Sequence, residues 1–269
     1  MNLGLGSYTY RWSVGYKGLV PDVPMTATGI LEVAIRHQLK VVQFADNLPL
    51  HTLPEAELNG LASRAADAGI ALELGTQSFD ATQVKQYIDI GKRIDAKILR
   101  VALDGPDALK PVPDLAKEFQ KLIPAAKDAG IRIAIENHFN YPSPRLVKLL
   151  EAISDNQVGV CLDVANSICA GEWPMETVAL LAPHTINLHL KDYVIEPDPY
   201  GVGFRIYGAP LGQGKTDCQA VLNAADYPAD MSVILEHWLP QEEDMPSAQA
   251  KEHEWLAQSI KYARSELGL

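Results

Sequence analysis

Four polar side chains stand at or near the ends of short apolar runs in the second half of the chain. Three are carboxylates and one is an imidazole: Glu136 in IRIAIEN, Asp163 in VGVCLDVAN, His189 in TINLHLKD and Glu236 in SVILEHW. Charge at the mouth of an apolar strand costs free energy unless something there uses it. Such a set offers mainly oxygen donors, which suit Mn²⁺ or Mg²⁺, and Co²⁺ and Zn²⁺ also fit. If the four runs are neighbouring strands, they predict a site for one divalent metal ion.

Each of these residues also has an ordinary interpretation when it is taken alone. A glutamate at a strand end is commonly a solvated loop carboxylate, Asp163 can cap the following helix, and His189 can be a hydrogen-bonded core histidine. The order Glu, Asp, His, Glu on consecutive strands favours a shared metal site over these alternatives. Three clustered carboxylates would repel one another without a cation among them.

The four runs belong to a longer alternation between short apolar segments and amphipathic segments. Eight segments have the pattern of strands: 3–10, 41–46, 70–75, 97–103, 131–137, 158–166, 185–192 and 232–238. Segments with helical spacing of apolar residues separate them, and the last of these is 245–267. The alternation predicts a (β/α)8 TIM barrel, with a doubly wound open sheet as the alternative. The 269 residues lie close to the length of one barrel, so we predict a single domain over 1–269.

One segment interrupts this alternation between the seventh and the eighth strand. Residues 193–215, YVIEPDPYGVGFRIYGAPLGQGK, are too many for an ordinary connection, and we expect them to form a long loop. The loop follows the carboxyl end of a strand, which is the side on which barrel enzymes carry their active sites. We therefore expect it to lie near the predicted metal site.

Further residues near the predicted strand ends are candidates for contact with a substrate. Lys191 shares a strand face with His189, so it is a candidate catalytic cation that holds a substrate carboxylate or an oxyanion; a salt bridge at the rim is the alternative. The candidate substrate-binding residues, each of which can equally pack or be solvated at the rim, are Tyr8, Arg11, His138, Asn166, Arg205 and His237.

The composition argues against several classes of protein. A net charge of −11 disfavours binding to nucleic acid, because such proteins carry a basic stripe that meets the phosphates. No segment approaches the roughly 18 apolar residues of a membrane span. The first residues lack the features of a signal peptide, and the three cysteines form no CxxC pair, so we predict a cytoplasmic protein with reduced thiols.

Several stretches resemble the sugar phosphate isomerase/epimerase family, whose members have a xylose isomerase-like TIM barrel. The matching stretches are IAIEN, GVCLDVAN, INLHLKD, PLGQGKTD and VILEHW. The resemblance implies that Glu136, Asp163, His189 and Glu236 bind one divalent metal ion. It also implies that Glu136 and Glu236 act as an acid/base pair on a small carbohydrate substrate. Barrels of this group often pair, so the resemblance is compatible with a homodimer.

The chain departs from the ketose 3-epimerases of that family at three positions. Pro142, Asn166 and Ile195 stand where those enzymes carry Glu, His and Arg, so ketohexose epimerisation is disfavoured. The leading prediction is a divalent-metal-dependent isomerase or epimerase that acts on a small keto sugar or sugar acid through a metal-bound enediolate. The alternative is a lyase that decarboxylates a 3-oxo sugar acid through the same intermediate, because the segment 193–215 resembles that of 3-oxo-isoapionate decarboxylases.

Two further classes compete with these enzymes. A phosphodiester nuclease on the same barrel would need many histidine ligands and a basic surface, whereas this chain has seven histidines and a net charge of −11. A non-catalytic metal-binding or sugar-binding protein would keep the four ligands but would turn over no substrate.

Overall fold

The computed structural model describes residues 1–269, and a closed barrel of eight parallel strands lies at its centre. In chain order the strands are β1 (Asn2–Gly6), β2 (Val41–Phe44), β3 (Ala71–Thr76), β4 (Ile98–Ala102), β5 (Arg132–Glu136), β6 (Val158–Asp163), β7 (Thr185–Leu190), β8 (Asp192–Pro197), β9 (Phe204–Ala209) and β10 (Ser232–Leu235). All except β8 and β9 belong to the barrel, and β10 closes it by pairing with β7 and β1. The predicted (β/α)8 TIM barrel is confirmed, and the open-sheet alternative is excluded.

Helices surround the barrel, as the amphipathic segments predict. In chain order they are α1 (Arg11–Val14), α2 (Ala27–Arg36), α3 (Glu55–Ala68), α4 (Ala81–Arg93), α5 (Val112–Ala129), α6 (Ser143–Ile153), α7 (Pro174–Leu181), α8 (Cys218–Leu222) and α9 (Met245–Ser265). Their apolar faces pack on the strands in one continuous hydrophobic core. Two of the longer helices, α3 and α5, end at Gly69 and Gly130, whose positive φ closes a helix without the penalty of a Cβ atom. No helix combines the length and the apolar character that a membrane span requires.

The first strand is shorter than the sequence indicates. Strand β1 ends at Gly6, and the next four residues, Ser7–Tyr10, form a 3₁₀ helix rather than the rest of a strand. The hydroxyl of Ser7 accepts a hydrogen bond from the Ala45 N–H at 2.9 Å, directly after β2. This contact ties the chain to its neighbouring strand at the point where it turns across the top of the barrel.

The segment 193–215, expected as a loop, contains regular structure. Strands β8 and β9 pair antiparallel from Asp192–Ala209 to Pro197–Phe204 and form a hairpin that belongs to a sheet of its own. Only Lys191 separates the hairpin from the end of β7, so the hairpin rises from the mouth of the barrel beside the predicted metal site.

The carboxylate of Asp192 fastens the base of this hairpin. Its Oδ1 atom accepts hydrogen bonds from the N–H groups of Tyr193 and Thr216, both at 2.9 Å. Its Oδ2 atom accepts from the N–H groups of Gly212 and Gly214 at 2.9 and 2.8 Å. A Cβ atom at position 214 would lie 2.2 Å from Asp192 Oδ1, so only glycine allows this approach. The HLKD and LGQGKTD stretches are therefore two halves of one structural unit.

A second buried carboxylate joins the first and the last helix. Glu252 in α9 accepts hydrogen bonds from the Trp12 N–H at 2.6 Å, the Ser13 N–H at 3.0 Å and the Ser13 hydroxyl at 2.6 Å. Burial raises the pKa of Glu252 to about 7, although these donors act in the opposite direction. The carboxyl group therefore titrates near neutral pH in the folded chain.

Replacing Glu252 by Gln is expected to reduce the pH dependence of folding stability. The carboxyl group has a reference pKa of 4.5, so between that pH and about 7 the folded chain holds a proton that the unfolded chain has lost. Its contribution is thus favourable at low pH and falls as the pH rises through 7, by up to about 3 kcal/mol. Urea unfolding at about pH 5 and about pH 8 measures this difference.

The comparison needs a variant that removes one negative charge without touching the buried site. Glu254→Gln serves, because Glu254 is exposed on the same helix. Equal losses of stability with rising pH in the wild type and in Glu252→Gln would contradict the prediction.

Candidate metal centre and active site

The barrel brings the four predicted metal ligands together, and we call them the strand-end cluster (Glu136, Asp163, His189 and Glu236). The first two are the last residues of β5 and β6, His189 is the fifth residue of β7, and Glu236 directly follows β10. The imidazole Nδ1 of His189 lies 3.0 Å from Glu136 Oε1, 3.7 Å from Asp163 Oδ2 and 3.6 Å from Glu236 Oε2. These four residues lie on or directly after adjacent strands, and none is more than 2% exposed.

The cluster has donor atoms available for a cation. One buried atom of each member has no hydrogen-bond partner: Glu136 Oε2, Asp163 Oδ2, His189 Nδ1 and Glu236 Oε1. Two of these atoms, Glu136 Oε2 and Asp163 Oδ2, lie against buried cations, whereas Glu236 Oε1 has no polar partner. Buried polar atoms in native proteins are normally hydrogen-bonded, so their convergence around His189 Nδ1 requires an explanation. Three carboxylates and one imidazole fit a divalent ion that prefers oxygen and nitrogen ligands. The donor set therefore passes the chemical test for a metal centre.

Two neighbouring residues further define the cluster. Gly6 faces Glu236, and a Cβ atom at position 6 would lie 2.7 Å from Glu236 Oε1, so a larger residue there would displace that carboxylate. Cys161 also has its sulfur close to Glu136 and His189. Its Sγ donates to Asn187 Oδ1 at 3.1 Å, and burial raises the pKa of the thiol to about 11. The thiol therefore lies in the barrel interior, directly beside the cluster.

Two buried cations lie against the carboxylates of the cluster. The ammonium of Lys191 is 2.5 Å from Asp163 Oδ2 and 2.9 Å from Glu236 Oε2. The Arg100 guanidinium lies 2.7 Å from Glu136 Oε2, as an ion pair and not as an aligned hydrogen bond. Arg100 also donates to the Thr76 carbonyl at 3.0 Å, which fixes its orientation within β4.

These ion pairs keep the whole site charged. Burial alone would favour the neutral form of each group, but Arg100 holds the pKa of Glu136 well below its usual range. Lys191 does the same for Asp163 and Glu236. In return, burial would lower the pKa of Lys191, but the three carboxylates raise it above its ordinary value. The site therefore presents ionised carboxylates and two fixed positive charges at neutral pH.

A cavity of about 190 Å³ opens above the cluster at the carboxyl ends of the strands. Beyond the cluster it is lined by predicted residues, namely Lys191, Tyr8, Arg11, His138, Asn166 and His237. A larger cleft of about 780 Å³ lies elsewhere, around Arg132, His184 and Tyr227, and it contains no member of the cluster. The smaller cavity is the candidate active site, because the ionised groups converge there.

The predicted residues in the cavity have specific partners. The Tyr8 hydroxyl donates to Asp46 Oδ2 at 2.8 Å, and the Asn166 amide donates to Glu136 Oε1 at 3.4 Å. His138 Nδ1 lies 3.1 Å from Asp104 Oδ1. These contacts present a polar wall of hydroxyl, amide and imidazole groups, which suits a ligand with many hydroxyl groups.

Of the two arginines predicted to bind the substrate, Arg11 lines the cavity and Arg205 does not. The Arg11 guanidinium lies 4.7 Å from the centre of the Tyr16 ring, and both residues line the cavity. The structure does not bring Arg205 to the cavity. Its exposed guanidinium lies in β9 and pairs with Asp198 in the same hairpin, so the geometry lends no support to the prediction that it clamps an anion.

Sequence reasoning missed three polar residues of the site. Arg100 lies in the middle of the apolar run KILRVAL, Gln77 follows β3, and Asp104 follows β4. Asp104 accepts a hydrogen bond from Gln77 Nε2 at 2.8 Å on the cavity rim. The signal that finds Glu136 applies to Arg100 too, because a charge inside an apolar strand needs a buried partner.

Comparison with known proteins identifies the fold family. A family model described as xylose isomerase-like TIM barrel matches residues 34–265. The chain belongs to this family. The chain is also 29% identical, over 97% of its length and 94% of the relative, to a 3-oxo-isoapionate decarboxylase of Pectobacterium atrosepticum.

Solved structures of other proteins have the same fold. A protein of this barrel type from Mycobacterium smegmatis, solved in complex with magnesium, superimposes with a TM-score of 0.68 at 16% identity and 97% coverage of both chains. A D-psicose 3-epimerase from Clostridium cellulolyticum H10, solved with D-tagatose, gives a TM-score of 0.71 at 14% identity and 98% coverage of both chains. These likenesses concern the fold.

Proposed function

We propose that this chain is a divalent-metal-dependent lyase that releases CO₂ from a 3-oxo sugar acid of the 3-oxo-isoapionate type. The observation that carries the proposal is the pair of buried cations, Lys191 and Arg100, that line the cavity beside the strand-end cluster. A neutral keto sugar has no charge for such a pair to neutralise, whereas a sugar acid has a carboxylate. The full-length likeness to a 3-oxo-isoapionate decarboxylase supports the same reaction.

The strand-end cluster would hold the divalent ion of this enzyme. Mn²⁺ and Mg²⁺ fit its oxygen-rich donor set best, and a fold relative was solved with magnesium. Bound there, the ion would supply a Lewis acid beside the keto group of the substrate. The remaining chemistry belongs to the side chains around it.

The reaction breaks the bond between the carboxylate carbon and its neighbour. CO₂ leaves, the electron pair of the broken bond forms a double bond to the keto carbon, and the carbonyl π pair moves to the keto oxygen. A proton later returns to the carbon that lost CO₂. Lys191 and Arg100 are placed to bind the departing carboxylate and to stabilise negative charge that develops at the oxygen. Because neighbouring cations hold the pKa values of Glu136 and Glu236 low, these carboxylates would direct a proton from water instead of storing one.

One observation favours isomerisation or epimerisation as the second candidate. Glu136 enters the site from β5, Glu236 enters after β10, and each has an oxygen without a hydrogen-bond partner. Two such carboxylates can remove and return a proton from different positions. Against this reaction, Ile195 is exposed in the hairpin and Pro142 directly precedes α6, so neither replaces the substrate contacts of the 3-epimerases.

Substrate-dependent release of CO₂ separates the two candidates. We expect the purified protein with Mg²⁺ or Mn²⁺ to convert a 3-oxo sugar acid with stoichiometric CO₂, and to lose that activity on treatment with a chelator. Neutral ketohexoses incubated in D₂O should gain little deuterium. Deuterium uptake by the ketohexose without CO₂ release from the acid would favour the isomerase. The cytoplasmic location and the homodimer stay predictions.

A further inference from the structure

Four polar side chains fill part of the barrel interior next to the strand-end cluster. They are Gln43 in β2, Glu73 in β3, Asn187 in β7 and Ser232, which begins β10. The first three are at most 2% exposed. Barrel interiors are usually filled by branched apolar residues, and a buried polar network costs free energy unless every member is paired. These residues therefore need a purpose beyond folding.

Glu73 is the anchor of this network. Its Oε2 atom accepts hydrogen bonds from Gln43 Nε2 at 2.9 Å and from Asn187 Nδ2 at 3.0 Å. Its Oε1 atom accepts from the Ser232 hydroxyl at 2.5 Å. Three donors on three different strands thus converge on one carboxylate, which fixes where each of them points.

The amide of Gln43 has only one orientation that this network allows. One hydrogen of its Nε2 goes to Glu73, and the other goes to Asn187 Oδ1 at 3.1 Å. A flipped amide would set its oxygen against two acceptor oxygens, so the flip is unfavourable. The Oε1 atom must then face the other way, where it lies 2.7 Å from His189 Nε2.

This orientation decides which nitrogen of His189 carries the proton. Gln43 Oε1 can only accept a hydrogen bond, so His189 Nε2 must be the donor. In the neutral form of the ring, which a metal ion requires, the Nδ1 atom is then left with the lone pair. Nδ1 is also the atom that points into the strand-end cluster without a hydrogen-bond partner. A ring held in this tautomer is what a metal ligand requires.

We infer that Glu73 and Gln43 are positioning residues for the metal centre: they hold His189 with Nε2 protonated and with the Nδ1 lone pair turned toward the cation. The inference rests on the metal centre of the proposed function and deepens it. Neither residue touches the substrate cavity, so their effect would pass through His189.

Binding of Co²⁺ to the purified protein tests whether Gln43 and Glu73 position His189. Titration of the metal-free protein with Co²⁺ gives a dissociation constant, and proton NMR of the Co²⁺ form reports a strongly shifted, exchangeable N–H of a coordinated imidazole. For Gln43→Leu we expect Co²⁺ to bind about 10- to 100-fold more weakly and the exchangeable signal to be lost.

A matched control and a variant-free measurement accompany the titration. Thr185→Val changes a buried polar residue of β7 that bonds only to the Leu181 carbonyl, and it should leave both readouts unchanged. In the Zn²⁺-loaded wild type, ¹⁵N NMR of labelled histidine should show Nε2 protonated and Nδ1 coordinated for the ligand ring. This second measurement tests the inference even if Gln43→Leu does not fold.

Two results would contradict the inference that Gln43 and Glu73 position His189. One is unchanged Co²⁺ affinity with an unchanged exchangeable signal in Gln43→Leu, and the other is a coordinated Nε2 in the wild type. If only the proposed reaction is wrong, the wild type would bind Co²⁺ and show the expected NMR signal but would release no CO₂. That result would support the positioning role of Gln43 and Glu73. A wild type that binds no Co²⁺ would contradict both.

Discussion

Glu236→Gln is expected to lower kcat for CO₂ release by about 10²- to 10⁴-fold while the fold is preserved. The amide keeps the shape of the side chain and one oxygen donor, but it removes a negative charge and the group that directs a proton. Glu236 is buried, pairs with Lys191 at 2.9 Å and has one oxygen without a partner, so no neighbouring residue can replace it. Initial rates at saturating metal ion measure the effect.

The same assay needs a control for the loss of a carboxylate near the barrel mouth. Glu243→Gln serves, since Glu243 is exposed and lies in the connection between β10 and α9. Circular dichroism and metal content of both variants separate a catalytic loss from a folding or metal-binding loss. Undiminished activity in Glu236→Gln would remove this residue from the mechanism.

The sequence predicts the parts of the site that lie where a clear pattern ends. Glu136, Asp163, His189 and Glu236 stand out because each interrupts or follows a run of apolar residues. Parallel strands of a barrel all end at one rim, so four such interruptions on successive strands must meet. The strand pattern therefore carries both the fold and the convergence of these four side chains.

The residues that the sequence does not reveal lie inside strands. Four such residues lie within strands: Gln43, Glu73, Arg100 and Asn187. In the sequence, a single polar residue inside an apolar strand gives no indication of its partner. Which strands face each other across the barrel decides their partners, and this depends on closure and register rather than on local sequence. Their hydrogen bonds bridge 24 to 159 residues of chain.

The hairpin escaped prediction for a different reason. Strands β8 and β9 contain strand-forming residues, but prolines and glycines flank them and the half of each strand nearer the tip of the hairpin is largely exposed. A strand is recognised in a sequence by alternating apolar and polar residues, and a strand without a buried face does not need this alternation. The anchoring role of Asp192 is likewise hidden, because its four donors lie in the backbone, which no side-chain pattern encodes.

Lys191→Met is expected to lower kcat/KM for a 3-oxo sugar acid by about 10²- to 10³-fold. Removal of one partner from a buried, hydrogen-bonded charge pair costs about 2–5 kcal/mol, and each 1.4 kcal/mol is tenfold. Lys191 is 6% exposed and lines the cavity. Because little water reaches its ammonium group, water cannot substitute for a substrate carboxylate as its partner. Assays of CO₂ release with saturating metal ion measure the loss.

Comparison of charged and neutral substrates separates recognition of a carboxylate from a purely structural effect. If Lys191 binds the carboxylate, Lys191→Met should impair turnover of the acid far more than proton exchange in a neutral keto sugar, and Lys191→Arg should recover part of the loss. Lys215→Met is the matched control, because Lys215 is exposed in the segment after the hairpin. Equal losses with both substrates would mean that Lys191 acts only by neutralising Asp163 and Glu236, and the proposal would then depend on Arg100 alone for its anion site.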